Sequence, residues 1–152
     1  MKRLTYIFLL ALLVMGVSCT PEETVEHTLP VNAYNLDGTW QLAELNEAPL
    51  ADSTYLYIVL NRKGTFSIYD NLGSMYPVLS TGTFSVEKEW RDGDIISGVY
   101  DNGLGAWNYD YIITDFCEES MLWTAKGNPA DKQKFVRVAE VPADIEESVR
   151  KD

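Results

Sequence analysis

Residues that could perform catalysis are few in this chain of 152 residues. Its single histidine, His27, lies in a polar segment near the N-terminus, whereas a Ser-His or Cys-His nucleophile needs a histidine inside the folded part. A zinc site needs several His or Cys ligands, and the two cysteines, Cys19 and Cys117, are far apart in sequence. The sequence therefore predicts no metal site, no cofactor and no nucleophilic catalyst, and we expect Cys117 to be a structural residue.

Pairs of carboxylates are the remaining groups with a possible acid–base role, since glycoside hydrolases use two of them across a cleft. Acidic residues number 23 in this chain, so neighbouring acids near turns are expected by chance. The pairs are Asp92 with Asp94, Asp110 with Asp115, and Glu118 with Glu119. We expect the protein not to be an enzyme and keep a carboxylate-dependent hydrolase as a third alternative.

Aromatic residues form a more informative pattern. Trp107, Tyr109 and Tyr111 alternate along the chain, and alternate residues of a strand share one face. Trp123, in the next predicted strand, is expected to join them. Two interpretations are open. The rings fill the core, or they line a cavity in which tyrosine hydroxyls orient a small apolar or sugar-like ligand.

The elements around these residues are predicted to be β strands. Short runs of β-branched and aromatic residues alternate with turn residues, and helical periodicity is absent. The predicted strands are 38–45, 55–61, 65–69, 78–87, 94–100, 106–116, 120–125 and 132–138. Because a closed barrel leaves no exposed edge, we predict an all-β, eight-stranded antiparallel up-and-down barrel over residues 36–138. The charged tail, 139–152, could add a short C-terminal helix.

Residues 36–42, Leu-Asp-Gly-Thr-Trp-Gln-Leu, resemble the start of lipocalin-like (calycin-type) domains, whose first strand carries Gly-x-Trp. The last predicted strand carries Arg137, and that family often places an arginine over the tryptophan. The resemblance implies that Trp40 and Arg137 meet at the closed end of the barrel, as a structural plug and not as a binding site. An arginine stacked on an indole contributes up to about 2 kcal/mol when desolvated.

The N-terminus has the layout of an export signal over residues 1–18. A basic start precedes an apolar run at 6–14, which is too short to span a membrane comfortably. The sequence Gly-Val-Ser-Cys at 16–19 resembles a lipobox, which is cleaved before a cysteine that then carries lipid; a plain secretory signal is the alternative. We expect Cys19 to be lipidated and residues 19–35 to form a tether.

Charge excludes one class of partner. The whole chain has a net charge of −11, and removal of residues 1–18 leaves 10 basic against 23 acidic residues, or −13. Such a chain lacks the basic patch that phosphate binding needs, so nucleic acid is not expected as a partner. Glu22 and Glu23, close behind Cys19, resemble a signal that some bacteria use for outer-membrane lipoproteins. We expect the protein in the cell envelope, at the outer membrane.

The function expected from these features is that of a monomeric, envelope-anchored lipoprotein that binds a small hydrophobic or amphipathic ligand in its barrel. The alternative is a protein-interaction or inhibitor module whose barrel is filled. The volume of the barrel cavity separates the two: a cavity above about 300 Å³ favours a ligand, whereas a packed interior with an exposed apolar patch favours a partner surface.

Overall fold

The computed structural model describes residues 28–89 and 91–149. Nearly all regular structure in this part of the chain is β strand, with two short α helices and one 3-10 turn. The elements are α1 Ala33–Leu36, β1 Gly38–Leu45, β2 Ala48–Pro49, β3 Leu56–Asn61, β4 Thr65–Asp70, β5 Val78–Glu87, β6 Asp94–Tyr100, the 3-10 turn Asp101–Gly103, β7 Tyr111–Thr114, β8 Ser120–Ala125, β9 Asn128–Val138 and α2 Ala143–Val149.

The strands form one closed antiparallel sheet. From β3 onward each strand pairs with the next, and β1 pairs with both β3 and β9, which closes the sheet into a barrel. The two-residue β2 pairs only with the end of β1, so eight strands form the barrel itself. The predicted eight-stranded up-and-down barrel with a short C-terminal helix is confirmed. Closure pairs the first and last strands, which would otherwise be exposed edges.

The core follows the two-residue period of the strands. Inward-facing side chains on successive strands are buried, and their outward neighbours are more exposed. The buried inward set is Trp40, Leu42, Ile58, Leu60, Phe66, Phe84, Ile96, Tyr111, Ile113, Met121, Trp123 and Phe135. The barrel interior is therefore largely occupied by its own side chains.

The two ends of the barrel differ. At the closed end, where β1 begins and β9 ends, α1 packs against the barrel with Leu36 fully buried. The backbone N–H of Leu29 donates to the carbonyl of Phe116 at 2.7 Å, and Val31 is buried. The last part of the predicted tether, from Leu29 onward, therefore packs against the barrel because its apolar side chains cover the core. We call the other end, which carries the connections 71–77, 101–110 and 126–127, the mouth.

The C-terminal segment also packs on the barrel. Val141 is buried, and α2 follows it as the predicted short helix. Burial raises the pKa of Tyr55 and Tyr57, and the nearby carboxylate of Asp144 adds to both shifts. Asp144, at the start of α2, therefore lies close enough to both tyrosines for its charge to act on their hydroxyls. None of the helices in the described ranges is long and apolar enough to cross a membrane.

Two predicted strands, 55–61 and 65–69, differ from the observed ones by one residue, and two others differ by more. The strand predicted at 106–116 is regular only over Tyr111–Thr114, because the chain leaves the sheet around residues 108–110. Before that point, the backbone N–H of Trp107 donates to the carbonyl of Gly98 at 2.9 Å. The last strand begins at Asn128, earlier than the predicted 132, because Gly127, with φ +84°, closes a tight turn directly after β8.

Candidate functional site in the mouth of the barrel

The plug at the closed end is present as the resemblance implies. The guanidinium carbon of Arg137 lies 4.1 Å from the ring centroid of Trp40, which is fully buried. The indole Nε1–H of Trp40 donates to the carbonyl of Leu36 at 2.9 Å, so its polar atom is satisfied. Both residues serve the fold at this end, away from the mouth.

Arg137 also joins two separate segments to the end of β9 through its planar fork of donors. Its Nε donates to the carbonyl of Glu118 at 2.6 Å, Nη1 to that of Asp37 at 2.7 Å and Nη2 to that of Asn35 at 3.0 Å. The connection from α1 to β1 and the loop between β7 and β8 are therefore held by one side chain. Lysine could not reproduce this geometry.

Three of the four predicted ligand-lining rings come together. Trp107 lies 6.4 Å from Tyr111 and 5.6 Å from Trp123, and Tyr111 lies 5.5 Å from Trp123, all between ring centroids. Trp123 also packs on Phe135 at 4.8 Å, and it is only 3% exposed. Trp123 and Tyr111 thus belong to the core as well as to the cavity wall.

Tyr109 was expected to join this group, but it lies at its edge. Its side chain is 38% exposed and contacts only the edge of the cluster, with its ring 6.4 Å from that of Tyr111. The expectation depended on strict alternation through residue 111, and the chain leaves the sheet around Tyr109. Alternate residues share a face only within a strand, and the regular strand begins after Tyr109.

Trp107 enters the barrel because Gly98 has no side chain. A Cβ added to Gly98, an inward position of β6, would overlap the indole ring of Trp107. The ring lies there against Phe66, with centroids 5.1 Å apart. Residues 106–110 therefore fold over the mouth and put a tryptophan inside it.

A cavity of about 130 Å³ remains beneath this tryptophan. This is below the value of about 300 Å³ that was expected of a ligand-binding barrel, so most of the interior is filled and only a smaller ligand than expected could enter. It is close to the volume of about 150 Å³ at which an apolar protein cavity binds benzene. The cavity is lined by Leu56, Ile58, Ile68, Tyr100, Trp107, Asn108, Tyr111, Trp123, Gln133 and Phe135.

Polar atoms on the cavity wall form a small network. The amide Nε2 of Gln133 donates to the hydroxyl of Tyr111 at 3.1 Å and to the carboxylate of Asp131 at 3.3 Å. Burial raises the pKa of Tyr111 to about 12, and the charge of Asp131 contributes to the shift. The Nε1–H of Trp107 is buried and has no hydrogen-bond partner among the described residues.

Several wall residues were not predicted. Gln133 shares the inward face of β9 with Phe135, so the period of two contained a signal for it. Tyr100 shares the inward face of β6 with Gly98, so the same period indicated its direction, whereas Asn108 lies outside the regular strand and no local pattern indicated its direction. The role of Gly98 depends on a residue nine positions later and had no local signal.

A second concavity, about 260 Å³ in volume, lies on the outside of the barrel. Five charged side chains line it, and four of them are paired with each other: Lys134 with Glu44 at 3.3 Å, and Lys132 with Glu47; the fifth is Asp115. Most of the charge in this concavity is therefore already paired within the protein, and its surface lies outside the barrel. We therefore regard the mouth cavity as the candidate functional site.

The other candidate groups show no comparable site. Asp94 forms an ion pair with Lys88, and the Sγ of Cys117 lies 3.4 Å from the hydroxyl of Ser120. Within residues 28–89 and 91–149 there is no group of three or more His, Cys, Asp or Glu side chains placed to hold a metal ion. Cys19 and His27 lie outside the described residues.

The fold and the cavity together define a small closed antiparallel barrel that is plugged at one end and has a narrow apolar cavity at the other. No protein-family model and no curated protein matches the chain.

Proposed function

We propose that this chain is an envelope-anchored lipoprotein that binds one small, mainly apolar ligand in the mouth of its barrel. The observation that carries the proposal is the cavity of about 130 Å³, with walls of Ile, Phe and Trp side chains and a few hydroxyl and amide groups. That combination of apolar walls and few polar groups is typical of ligand sites. Binding is proposed in place of catalysis because no His, Cys or carboxylate side chain lines the cavity among the described residues.

The volume limits the size of the ligand. A cavity of this size accepts about one six-membered ring and excludes a long acyl chain or a fused-ring system. A sugar is disfavoured as well, because most of its hydroxyls would face the apolar side chains of Ile58, Ile68 and Phe135 without a partner. The proposed ligand is therefore small and compact.

Native mass spectrometry of the protein purified from its source tests this proposal. We expect one additional small molecule to accompany the wild-type protein. Ile68→Phe fills the cavity and should remove it, whereas Ser67→Phe, on the opposite face of β4, is the matched control and should retain it. If both variants and the wild type carry nothing, and none of them binds added one-ring compounds in calorimetry, the proposed function is wrong.

The anchor is proposed from the sequence at Cys19. Support comes from the path of the chain, because residues 29–36 pack at the closed end and leave the mouth on the opposite side. A chain that enters the barrel at this end is compatible with a lipid on Cys19 and an accessible cavity. We expect Cys19→Ala to move the protein from the membrane fraction to the soluble fraction of the envelope. Unchanged fractionation would contradict the anchor and leave the ligand proposal to be judged separately.

A second candidate function is docking of a protein partner, and one observation favours it. Large apolar side chains are exposed between residues 72 and 79, with Met75 94% and Tyr76 78% exposed. Exposed apolar patches mark interaction surfaces. Residues 64–87 contain no Lys or Arg and include Asp70, so the complementary partner surface is apolar with a basic rim.

Site-specific photocrosslinking in cells tests this second candidate. A photoreactive residue replacing Tyr76 should give one discrete adduct with a basic envelope protein, and Met75→Ser should reduce its yield. The same residue replacing Leu104, which is 73% exposed and lies in another loop, is the control. Equal adducts from both positions would mean that the patch has no specific partner.

A further inference from the structure

Half of the residues that line the mouth cavity are aromatic. We call them the aromatic wall: Tyr100, Trp107, Tyr111, Trp123 and Phe135. They belong to β6, β7, β8 and β9, which are neighbours in the sheet, and to the connection between β6 and β7. The aliphatic lining residues are Leu56, Ile58 and Ile68, on β3 and β4. The rings are therefore gathered in one continuous part of the barrel wall.

The rings of the aromatic wall have different orientations. The planes of Trp107 and Tyr111 are tilted by 64°, and the plane of Trp123 lies at 34° to the first and 37° to the second. The wall is therefore curved, as a surface around a compact ligand must be. Because the face of an aromatic ring carries negative charge density, a ring within about 6 Å attracts a cation. A wall of this composition favours a positively charged ligand.

Two carboxylates lie at the edge of the cavity. The amide Nε2 of Gln133, a lining residue, donates to the carboxylate of Asp131 at 3.3 Å. Asp70 follows the lining residue Ile68 at the next inward position of β4, directly before the connection 71–77 of the mouth. Both acidic side chains therefore border the cavity without being part of its apolar lining.

Neither carboxylate is neutralised by a basic side chain. Asp70 and Asp131 form no ion pair in the part of the chain that the structure describes. Burial raises the pKa of Asp70, as expected of a carboxylate that lacks a cation. Burial also raises the pKa of Tyr111 and of Tyr100, and the charge of Asp131 adds to the first shift and that of Asp70 to the second. The negative potential of both acids therefore reaches the aromatic wall.

The connections that form the mouth are acidic as well. Residues 71–77 and 101–110 contain no Lys, Arg or His, and they include Asp101 and Asp110. Lys126, in the third connection, is paired with Glu89, with 3.6 Å between its Nζ and the carboxylate. A cation that approaches the mouth therefore meets an attractive potential, whereas an anion is repelled.

The cavity favours a cation without N–H groups. A primary ammonium would need a hydrogen-bond acceptor for each N–H, and the side chains of Ile58, Ile68 and Phe135 offer none. A quaternary ammonium presents only methyl and methylene groups to such a lining, and its charge still acts on aromatic rings. A trimethylammonium group is smaller than a six-membered ring and fits the volume of about 130 Å³. Asn108, a lining residue, is exposed, so the rest of the ligand can extend to solvent there.

We propose that the ligand of the mouth carries a quaternary ammonium group, which is held by the aromatic wall and by the charges of Asp70 and Asp131. This inference rests on the proposed ligand-binding function and specifies the chemistry of the ligand. The methyl groups of such a cation are the apolar surface that fits the cavity. Anions and pure hydrocarbons are excluded as the preferred occupants.

Two probes of matched shape test the inference. Choline carries the quaternary ammonium, and its neutral isostere is the alcohol in which a carbon replaces the ammonium nitrogen. Their affinities for the full chain are measured by calorimetry. We expect the wild-type protein to bind choline at least about tenfold more tightly than the isostere. The ratio is then compared between variants, so that the different hydration of the two probes cancels.

The carboxylates are tested by removing one charge without changing the shape. Asp131→Asn retains an acceptor for Gln133, and we expect it to lower the preference for choline about two- to fivefold. Asp92→Asn removes the same charge from the connection between β5 and β6, at the other end of the barrel, and is the matched control. An equal fall in both variants would show that only the net charge of the protein matters and would overturn the role of Asp131.

The aromatic wall is tested by removing one ring. Tyr100→Leu keeps an apolar side chain, and we expect it to lower the preference for choline about two- to tenfold. Tyr34→Leu, at a residue that is 73% exposed on α1, is the matched control and should leave the ratio unchanged. A ratio that stays the same in Tyr100→Leu would overturn the role of this ring.

A direct readout with the wild-type protein covers the case in which a variant alters the fold. In proton NMR spectra, the N-methyl resonance of bound choline should move upfield, because aromatic rings shield a group that lies over their faces. Binding of choline without this shift would overturn its placement against the aromatic wall.

Phosphocholine distinguishes a free ligand from a lipid headgroup, since both sources carry the same trimethylammonium group. The acidic mouth repels the phosphate, so we expect phosphocholine to bind at least tenfold more weakly than choline. Equal affinities would overturn a free cation as the ligand and indicate a headgroup.

The outcomes separate the two proposals. If choline, the isostere and neutral one-ring compounds all fail to bind, the proposed ligand-binding function fails with the inference. If the isostere or a one-ring compound binds and choline binds no more tightly, the function stands and the quaternary ammonium is overturned.

Discussion

The guanidinium of Arg137 occupies the place where a side chain at residue 38 would lie. A Cβ on Gly38 would overlap the Nη1 atom of Arg137, which there donates to the carbonyl of Asp37. Gly38 also has φ +139°, a conformation that other residues rarely adopt. Gly38, Trp40 and Arg137 therefore form one structural unit: the glycine leaves room for the arginine, which lies over the tryptophan.

Replacement of Gly38 by alanine is expected to destabilise the protein. The new methyl group would displace the guanidinium and impose a strained backbone, at a cost of about 2 kcal/mol or more. Chemical denaturation of the two proteins measures the difference. Gly73→Ala is the control, because a Cβ at Gly73 meets nothing within 4 Å. Equal midpoints for both variants would show that the close approach of Arg137 is not rigid.

The tryptophan of the plug should be a major source of stability. Trp40 is fully buried among core side chains, including Phe116 at 6.1 Å between ring centroids. Trp40→Ala creates a large cavity and is expected to lower the free energy of unfolding by about 3–5 kcal/mol. Trp40→Phe, which keeps one ring, should lose less. A melting temperature of Trp40→Ala near that of the wild type would contradict its role as the plug.

Gly98 links the fold to the candidate site. A Cβ at this position would overlap the indole of Trp107, so Gly98→Ala is expected to push the ring out of the mouth. Bound one-ring ligands should then be lost while the barrel, which is held by the other strand pairs, remains folded. Ser97→Ala changes the neighbouring residue, whose hydroxyl faces Ser85 at 3.1 Å, and is the control. Ligand calorimetry together with circular dichroism checks this, and unchanged affinity in Gly98→Ala would contradict the placement of Trp107.

Stability should fall at high pH because of the buried tyrosines. The pKa of Tyr111 is about 12 in the folded protein, against an ordinary value of 10.0. Between these two values the unfolded chain has lost the proton and the folded chain keeps it, so the free energy of unfolding decreases as pH rises. The loss attributable to Tyr111 is less than about 3 kcal/mol. Burial raises the pKa of Tyr55, Tyr57 and Tyr100 as well, which acts in the same direction.

Urea denaturation at a series of pH values measures this dependence. Tyr111→Phe should show a shallower decline between pH 10 and pH 12, because it removes one titrating group. Tyr34→Phe, at a residue that is 73% exposed, is the control and should follow the wild-type curve. Identical slopes for Tyr111→Phe and the wild type would show that the hydroxyl of Tyr111 ionises freely in the folded state.

The contact between Trp40 and Arg137 could be predicted from two short motifs, but its geometry could not. Gly-x-Trp near the start and an arginine near the end indicated a contact between Trp40 and Arg137, and the two residues are directly opposite in the pairing of β1 with β9. The motif did not show why residue 38 has to be a glycine. The reason is the position of the guanidinium, which three carbonyls from distant segments determine.

The strand order and the bounds of half of the strands could be predicted from the sequence itself. The predicted bounds of β1, β5, β6 and β8 agree with the structure, because alternation and turn residues act between neighbours in the chain. The expected anchor at Cys19 also comes from local sequence alone and stays a prediction. Only the tertiary structure decided what occupies the barrel. Trp107 enters the mouth because Gly98, on another strand, leaves the space, and its N–H lacks a partner because of how distant segments pack. Contacts of this kind join residues across strands, and no pattern along one strand contains them.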